Sequence, residues 1–207
     1  MKVSVSFIKS KYNENKTIEL INQTSADYLH VDVMDGLFVN NKNYSFEKIR
    51  DFLKNNQKPL DIHFMYKNPI LEIKKYIELA PEFITIHLEC DDNIEDIIDY
   101  IHSKNIKCGI SIKPSTKVED LIPYLNKIEQ VLIMSVEPGE GGQSFIIDTI
   151  QKLKELKNHR NDYIISIDGG INNETIKYVK DYVDMVVAGS YICLSDDFEK
   201  NIKILKN

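Results

Sequence analysis

The sequence predicts a single-domain (β/α)8 barrel over residues 1–207. Three observations carry that expectation. Short, apolar, β-rich runs alternate with longer polar runs of helical period. Eight such runs occur in order. Polar residues gather at the C-terminal ends of several of them, which is where this fold builds its sites. Strict alternation of strand and helix means parallel strands joined by right-handed crossovers. Eight units favour a closed barrel over a doubly wound open sheet, and no GxGxxG motif follows the first run to support the latter.

The strand runs are VSVSF from Val3, YLHVDVM from Tyr28, PLDIHFM from Pro59 and FITIHLE from Phe83. They continue with KCGISI from Lys107, QVLIMSV from Gln130, YIISID from Tyr163 and MVVAG from Met185. Between them lie amphipathic segments. In NPILEIKKYIELA, Ile70, Ile73, Ile77 and Ala80 fall on one helical face, and IEDIIDYIHSK and FIIDTIQKLKELK repeat the pattern. At 207 residues the chain is short for this fold, so its loops must be compact.

Composition narrows the function. With 43% hydrophobic and 28% charged residues the chain is an ordinary folded protein. Its formal charge is 26 − 32 = −6, and it has no basic tract, which argues against nucleic acid as a partner. No apolar run approaches the roughly 20 residues of a membrane span, and the first residues lack a signal-peptide apolar region. Cys90, Cys108 and Cys193 are widely spaced, odd in number and without a CxxC pair. They read as reduced thiols of a cytoplasmic protein.

The chemistry sits at the strand ends. In His30-Val31-Asp32 the two polar side chains share a face, as do Asp61, His63 and Met65 on the third run. The fourth run carries His87-Leu88-Glu89 and the seventh ends Asp168-Gly169-Gly170. Each His alone reads as a hydrogen-bonded barrel residue and each Asp as a helix cap. Together, two imidazoles and two carboxylates from three strand ends suit one divalent ion of the zinc, iron, manganese or cobalt type. Glycine clusters follow the sixth, seventh and eighth runs, at residues 139–142, 169–170 and 189. There, backbone N–H groups can approach a phosphate closely. No Lys or Arg stands in the 169–170 or 189–190 turns, so backbone amides must carry most of that binding. Met34, Met65 and Met134 lie at or near strand ends and offer a soft apolar lining.

HVDVMDGLFV from His30, DIHFM from Asp61, IKPST from Ile112, VLIMSVEPGEGGQSF from Val131, IDGGIN from Ile167 and VAGS from Val187 stand in order along the chain. This series resembles the ribulose-phosphate 3-epimerase family. The resemblance implies a metal-dependent sugar-phosphate epimerase and, with it, a homo-oligomer. It implies His30, Asp32, His63 and Asp168 as metal ligands, with Asp32 and Asp168 also the acid/base pair on opposite faces of the substrate. Ser6 and His63 would contact substrate; Gly141, Gly142, Gly170, Gly189 and Ser190 would cradle its phosphate; Met34, Met65 and Met134 would line the site. The sequence departs from the family pattern at Asn40, at Glu140 between the glycines, and over residues 7–10. A hexulose phosphate such as allulose 6-phosphate is therefore an alternative substrate, and a barrel decarboxylase or synthase an alternative activity.

Overall fold

The computed structural model describes residues 1–159 and 162–207. Eight parallel strands close into a barrel in sequence order. They are β1 (Lys2–Ser6), β2 (Tyr28–Met34), β3 (Leu60–Met65), β4 (Phe83–His87), β5 (Lys107–Ile112), β6 (Gln130–Met134), β7 (Ile164–Asp168) and β8 (Met185–Ala188). The helices are α1 (Glu14–Asn22), α2 (Phe46–Phe52), α3 (Ile70–Tyr76), α4 (Ile94–His102), α5 (Thr149–Asn158), α6 (Ile176–Val179), α7 (Ser190–Cys193) and α8 (Phe198–Lys206). A 3-10 helix over Val118–Lys127, containing Pro123, takes the place of an α-helix between β5 and β6. Among the described residues no helix is long and apolar enough to cross a membrane.

Each strand serves two environments. Val3, Val5, Val31, Val33, Ile62, Phe64, Ile84, Ile86, Ile110, Ile133, Ile165 and Ile167 join the helices in one large apolar cluster with Ile73, Ile97, Leu153 and Ile202. Each fully buried side chain of this kind contributes roughly 1.5–3 kcal/mol. The alternate positions point to the barrel axis and are largely polar. Ser4, His30, Asp61, His63, Thr85, His87, Ser111, Gln130 and Ser166 are all fully buried. Barrel interiors of this class are usually filled by branched aliphatics. Here a small apolar plug of Tyr28, Phe83 and Met185 closes the N-terminal end, and the axis above it is given to hydrogen-bonding groups. Gly109 of β5 leaves room for the Thr85 hydroxyl, which a Cβ there would overlap.

Two helical segments differ from the periodicity. Ala80 is exposed and left-handed (φ 47°), not on the buried face, because Pro81 follows and the chain tightens into a 3-10 turn at Ile77–Leu79. Residues 145–148 precede α5 as a loop, with the Phe145 backbone packed against Gly170. The strands also end short of Phe7, Glu89, Val136 and Gly189, because the chain leaves the ladder there to form the loops of the mouth.

Candidate metal centre and active site

Strand register assembles the polar residues. Ser6 pairs with His30, His30 with Asp61, and Asp32 with His63; on the far side Asp168 lies between Met134 and Val187. One ligand atom from each of His30, Asp32, His63 and Asp168 lies within 4.8 Å of the other three. His30 Nε2 stands 3.3 Å from Asp32 Oδ1, and His63 Nδ1 stands 3.4 Å from the same oxygen.

Each imidazole is held from behind. His30 Nδ1 is 2.8 Å from Asp61 Oδ2, which also accepts from Ser4 Oγ at 2.8 Å. His63 Nε2 is 2.9 Å from His87 Nε2, and His87 Nδ1 is 3.1 Å from Glu89 Oε2. Glu89 further accepts from the Lys113 amide at 2.8 Å and from Thr116 Oγ1. Burial opposes its charge, yet the bonds from His87, Thr116 and Lys113 hold its carboxyl down at about 2. Burial lowers His87 to about 4, against the pull of Glu89. An ionised Glu89 accepts a hydrogen bond from Nδ1–H of neutral His87. His87 Nε2 then accepts from His63 Nε2–H, and the lone pair of His63 is left on Nδ1. Phe38 covers this chain, its ring 4.7 Å from that of His87.

His30 Nε2 and His63 Nδ1 are therefore both aimed at Asp32, and both are buried without a hydrogen-bond partner. An unpaired buried nitrogen costs roughly 1–3 kcal/mol. Two of them facing two carboxylates could serve as the donors to a divalent cation, and a metal fits the site on that ground. The carboxylates are unlike. Burial opposes ionisation of Asp32, but the imidazoles of His30 and His63 beside it outweigh that and hold the carboxyl well below its usual range. Burial, reinforced by the Asp32 charge, pushes Asp168 up to about 6.

Above the centre opens a cavity. Ser6, Asp32, Met34, Met65, Met134, Asp168, Gly141, Gly142, Gly170, Gly189 and Ser190 all line it. His30 and His63 do not reach the wall; they lie buried beneath Asp32. Ser6 Oγ donates to Asp32 Oδ2 at 2.8 Å, so it orients a carboxylate as well as lining the cavity. Met34 and Met65 pack with Val39, and Met134 packs apart from them with Leu132, Val136 and Val187. Gly170 has φ 63°, and a Cβ there would lie 2.7 Å from the Phe145 amide nitrogen. Only glycine allows that approach. Glu140 is exposed at the rim and accepts from Asn41 Nδ2 at 3.4 Å.

Three groups escape a reading of the motifs. Asn43 Oδ1 accepts from the Met34 amide at 3.0 Å and its Nδ2 donates to the Asp32 carbonyl, clamping the end of β2. Ser135 Oγ donates to the carbonyls of Asp168 and Gly169, at 2.9 and 2.7 Å. Lys9 lines the cavity from the loop after β1. None is marked by local spacing: Ser135 and Lys9 act across segments distant in sequence, and Asn43 turns back from its loop onto the strand before it.

The model of the ribulose-phosphate 3-epimerase family matches residues 2–193. The chain belongs to the ribulose-phosphate 3-epimerase family. Its members are isomerase-class enzymes. A relative of that name from Helicobacter pylori (strain J99) is 35% identical over 213 residues, covering 100% of this chain and 97% of its own length. One from Mycobacterium tuberculosis (strain H37Rv) is 37% identical over 177 residues, covering 83% and 77%. Among solved structures, 3-hexulose-6-phosphate synthase from Salmonella typhimurium superposes with a TM-score of 0.69 at 14% identity, covering 99% of this chain and 96% of that one. N-(5'-phosphoribosyl)anthranilate isomerase from Pyrococcus furiosus does so at 0.66 and 17%, covering 99% and 96%. At such identities these two attest the TIM-barrel fold alone.

Proposed function

We propose that this family member inverts carbon 3 of a ketose phosphate, interconverting D-ribulose 5-phosphate and D-xylulose 5-phosphate with one divalent metal held by His30, Asp32, His63 and Asp168. The observation that carries the reading is the pair of unpartnered imidazole nitrogens facing two carboxylates at the floor of a glycine-rimmed cavity. A bound metal of this kind supplies Lewis-acid polarisation of the ketone and hydroxyl oxygens.

The chain's own residues supply the rest. Inversion needs the carbon-3 proton removed on one face and another delivered on the other. Asp32, oriented by Ser6, and Asp168, at the end of β7 three strands round the barrel, serve as that pair. They must differ in protonation at any instant. The protein surroundings of the two already differ, with the neighbouring imidazoles lowering Asp32 and burial with the Asp32 charge raising Asp168. The pair titrates as a unit. Met34, Met65 and Met134 exclude water from the reacting carbon. Backbone N–H groups of the glycine turns hold the remote phosphate, whose binding energy keeps the sugar in register. The three free cysteines accord with a reducing, cytoplasmic setting.

A hexulose phosphate remains the second reading, favoured by Glu140 at the rim, where a carboxylate alters the surroundings of the sugar. Decarboxylase or synthase chemistry is less suited, since imidazoles occupy the strand ends beside the acids. A coupled assay comparing turnover of D-ribulose 5-phosphate with that of allulose 6-phosphate decides the substrate. A kcat/KM favouring the pentulose is expected, and the reverse order overturns that assignment. Glu140 bears on the same question. An exposed carboxylate roughly 4–8 Å from a phosphate dianion repels it by about 1–2 kcal/mol at a dielectric near that of water. Glu140→Phe is therefore expected to lower KM for ribulose 5-phosphate modestly with kcat little changed. A tenfold fall in kcat/KM instead would show the carboxylate acting directly on substrate.

A further inference from the structure

The cavity wall carries three carboxylates, Asp32, Asp168 and Glu140, and one cationic side chain among the described residues, Lys9. Lys9 stands three residues after Ser6, in the loop that leaves β1. Its side chain lies along the backbone of Gly141 and Gly142. A Cβ on Gly141 would sit 3.3 Å from the Lys9 Cβ, and one on Gly142 would meet Nζ at 2.6 Å. The ammonium is thus placed against the glycine strip on the cavity rim. Its hydrogen bond to the protein among the described residues is a long one, 3.2 Å to the Gly141 carbonyl. An ammonium has three donors, and no carboxylate pairs with this one among the described residues. Glu140 is engaged on the other side by Asn41.

We propose that Lys9 is a specificity-determining residue that binds the phosphate group of the substrate at the Gly141–Gly142 strip, adding a side-chain charge to a cradle otherwise made of backbone amides. The inference rests on the ketose-phosphate reading of the same site. A phosphate dianion is a far stronger acceptor for the ammonium than the neutral carbonyl Lys9 now contacts, because it adds the attraction of opposite charges. The cation also offsets Glu140, so a phosphorylated substrate is retained despite a carboxylate at the rim.

The test uses metal-loaded wild-type protein with Lys9→Gln and Lys9→Arg. Inorganic phosphate is the binding probe, and steady-state kinetics are run on D-ribulose 5-phosphate. Glutamine can still donate to the Gly141 carbonyl but carries no charge; arginine keeps the charge. Lys9→Gln is expected to weaken inorganic phosphate about 5- to 20-fold and to raise KM more than it lowers kcat. Lys9→Arg is expected to stay within about threefold of wild type on both readouts. Wild-type phosphate affinity in Lys9→Gln would overturn the proposal and leave Lys9 as a latch between two loops. A wild type that does not turn over ribulose 5-phosphate, yet loses phosphate affinity on Lys9→Gln, would overturn the substrate reading while the anion-binding role of Lys9 stands.

Discussion

Asp168→Asn is expected to reduce kcat for epimerisation by about 10²–10⁴-fold while the barrel stays folded, and Asp32→Asn to do the same. Loss of a positioned acid or base typically costs that much, and weakened metal binding adds to it. Both carboxylates lie at or near the C-terminal ends of strands whose helix-facing residues carry the packing, so an isosteric amide leaves the fold intact. Asp32 also accepts from Ser6 and faces both imidazoles, so its replacement unsettles the donor set more than replacement of Asp168 does. Circular dichroism establishes folding, metal analysis establishes occupancy, and turnover is then compared at full occupancy. A rate above about a tenth of wild type in either variant would exclude that residue from proton transfer.

His63→Ala is expected to weaken metal binding far more than inorganic phosphate binding. His63 is buried under Asp32 and away from the glycine turns, and its free Nδ1 is fixed by the His87–Glu89 chain behind it. Glu89→Gln, one step further out, is expected to lose about 10- to 100-fold in metal affinity, because an amide no longer fixes the proton on His87 Nδ1. Calorimetric titration of the metal-free variants with zinc and with phosphate separates the effects. Equal loss of both affinities in His63→Ala would make it a structural barrel residue.

Most of this architecture is legible in the order of residues. The eight strands are, because buried parallel strands must be apolar toward the helices, and runs such as Ile84/Ile86 and Ile165/Ile167 meet that need. The convergence of His30, Asp32, His63 and Asp168 is as well, since acids and imidazoles in buried strands require a reason. Other features are not. Ala80 shares the helical period but not the helix, because Pro81 ends it. The polar axis of Thr85, Ser111 and Gln130 is hidden among apolar neighbours until register shows which face each occupies. Lys9 and Asn43 lie in polar loops where nothing local separates them from solvated residues. Their partners, Gly141 and Asp32, are reached only through the fold.

The central claim is that the four-residue centre, loaded with a divalent metal, exchanges the carbon-3 proton through protein acids. The most direct measurement is to incubate metal-free and metal-restored protein with D-ribulose 5-phosphate in deuterated water and follow carbon 3 by NMR. Restored protein is expected to yield D-xylulose 5-phosphate carrying solvent deuterium at carbon 3, and metal-free protein to yield none. Equal epimerisation by the metal-free protein, or product formed without deuterium at carbon 3, would contradict the account.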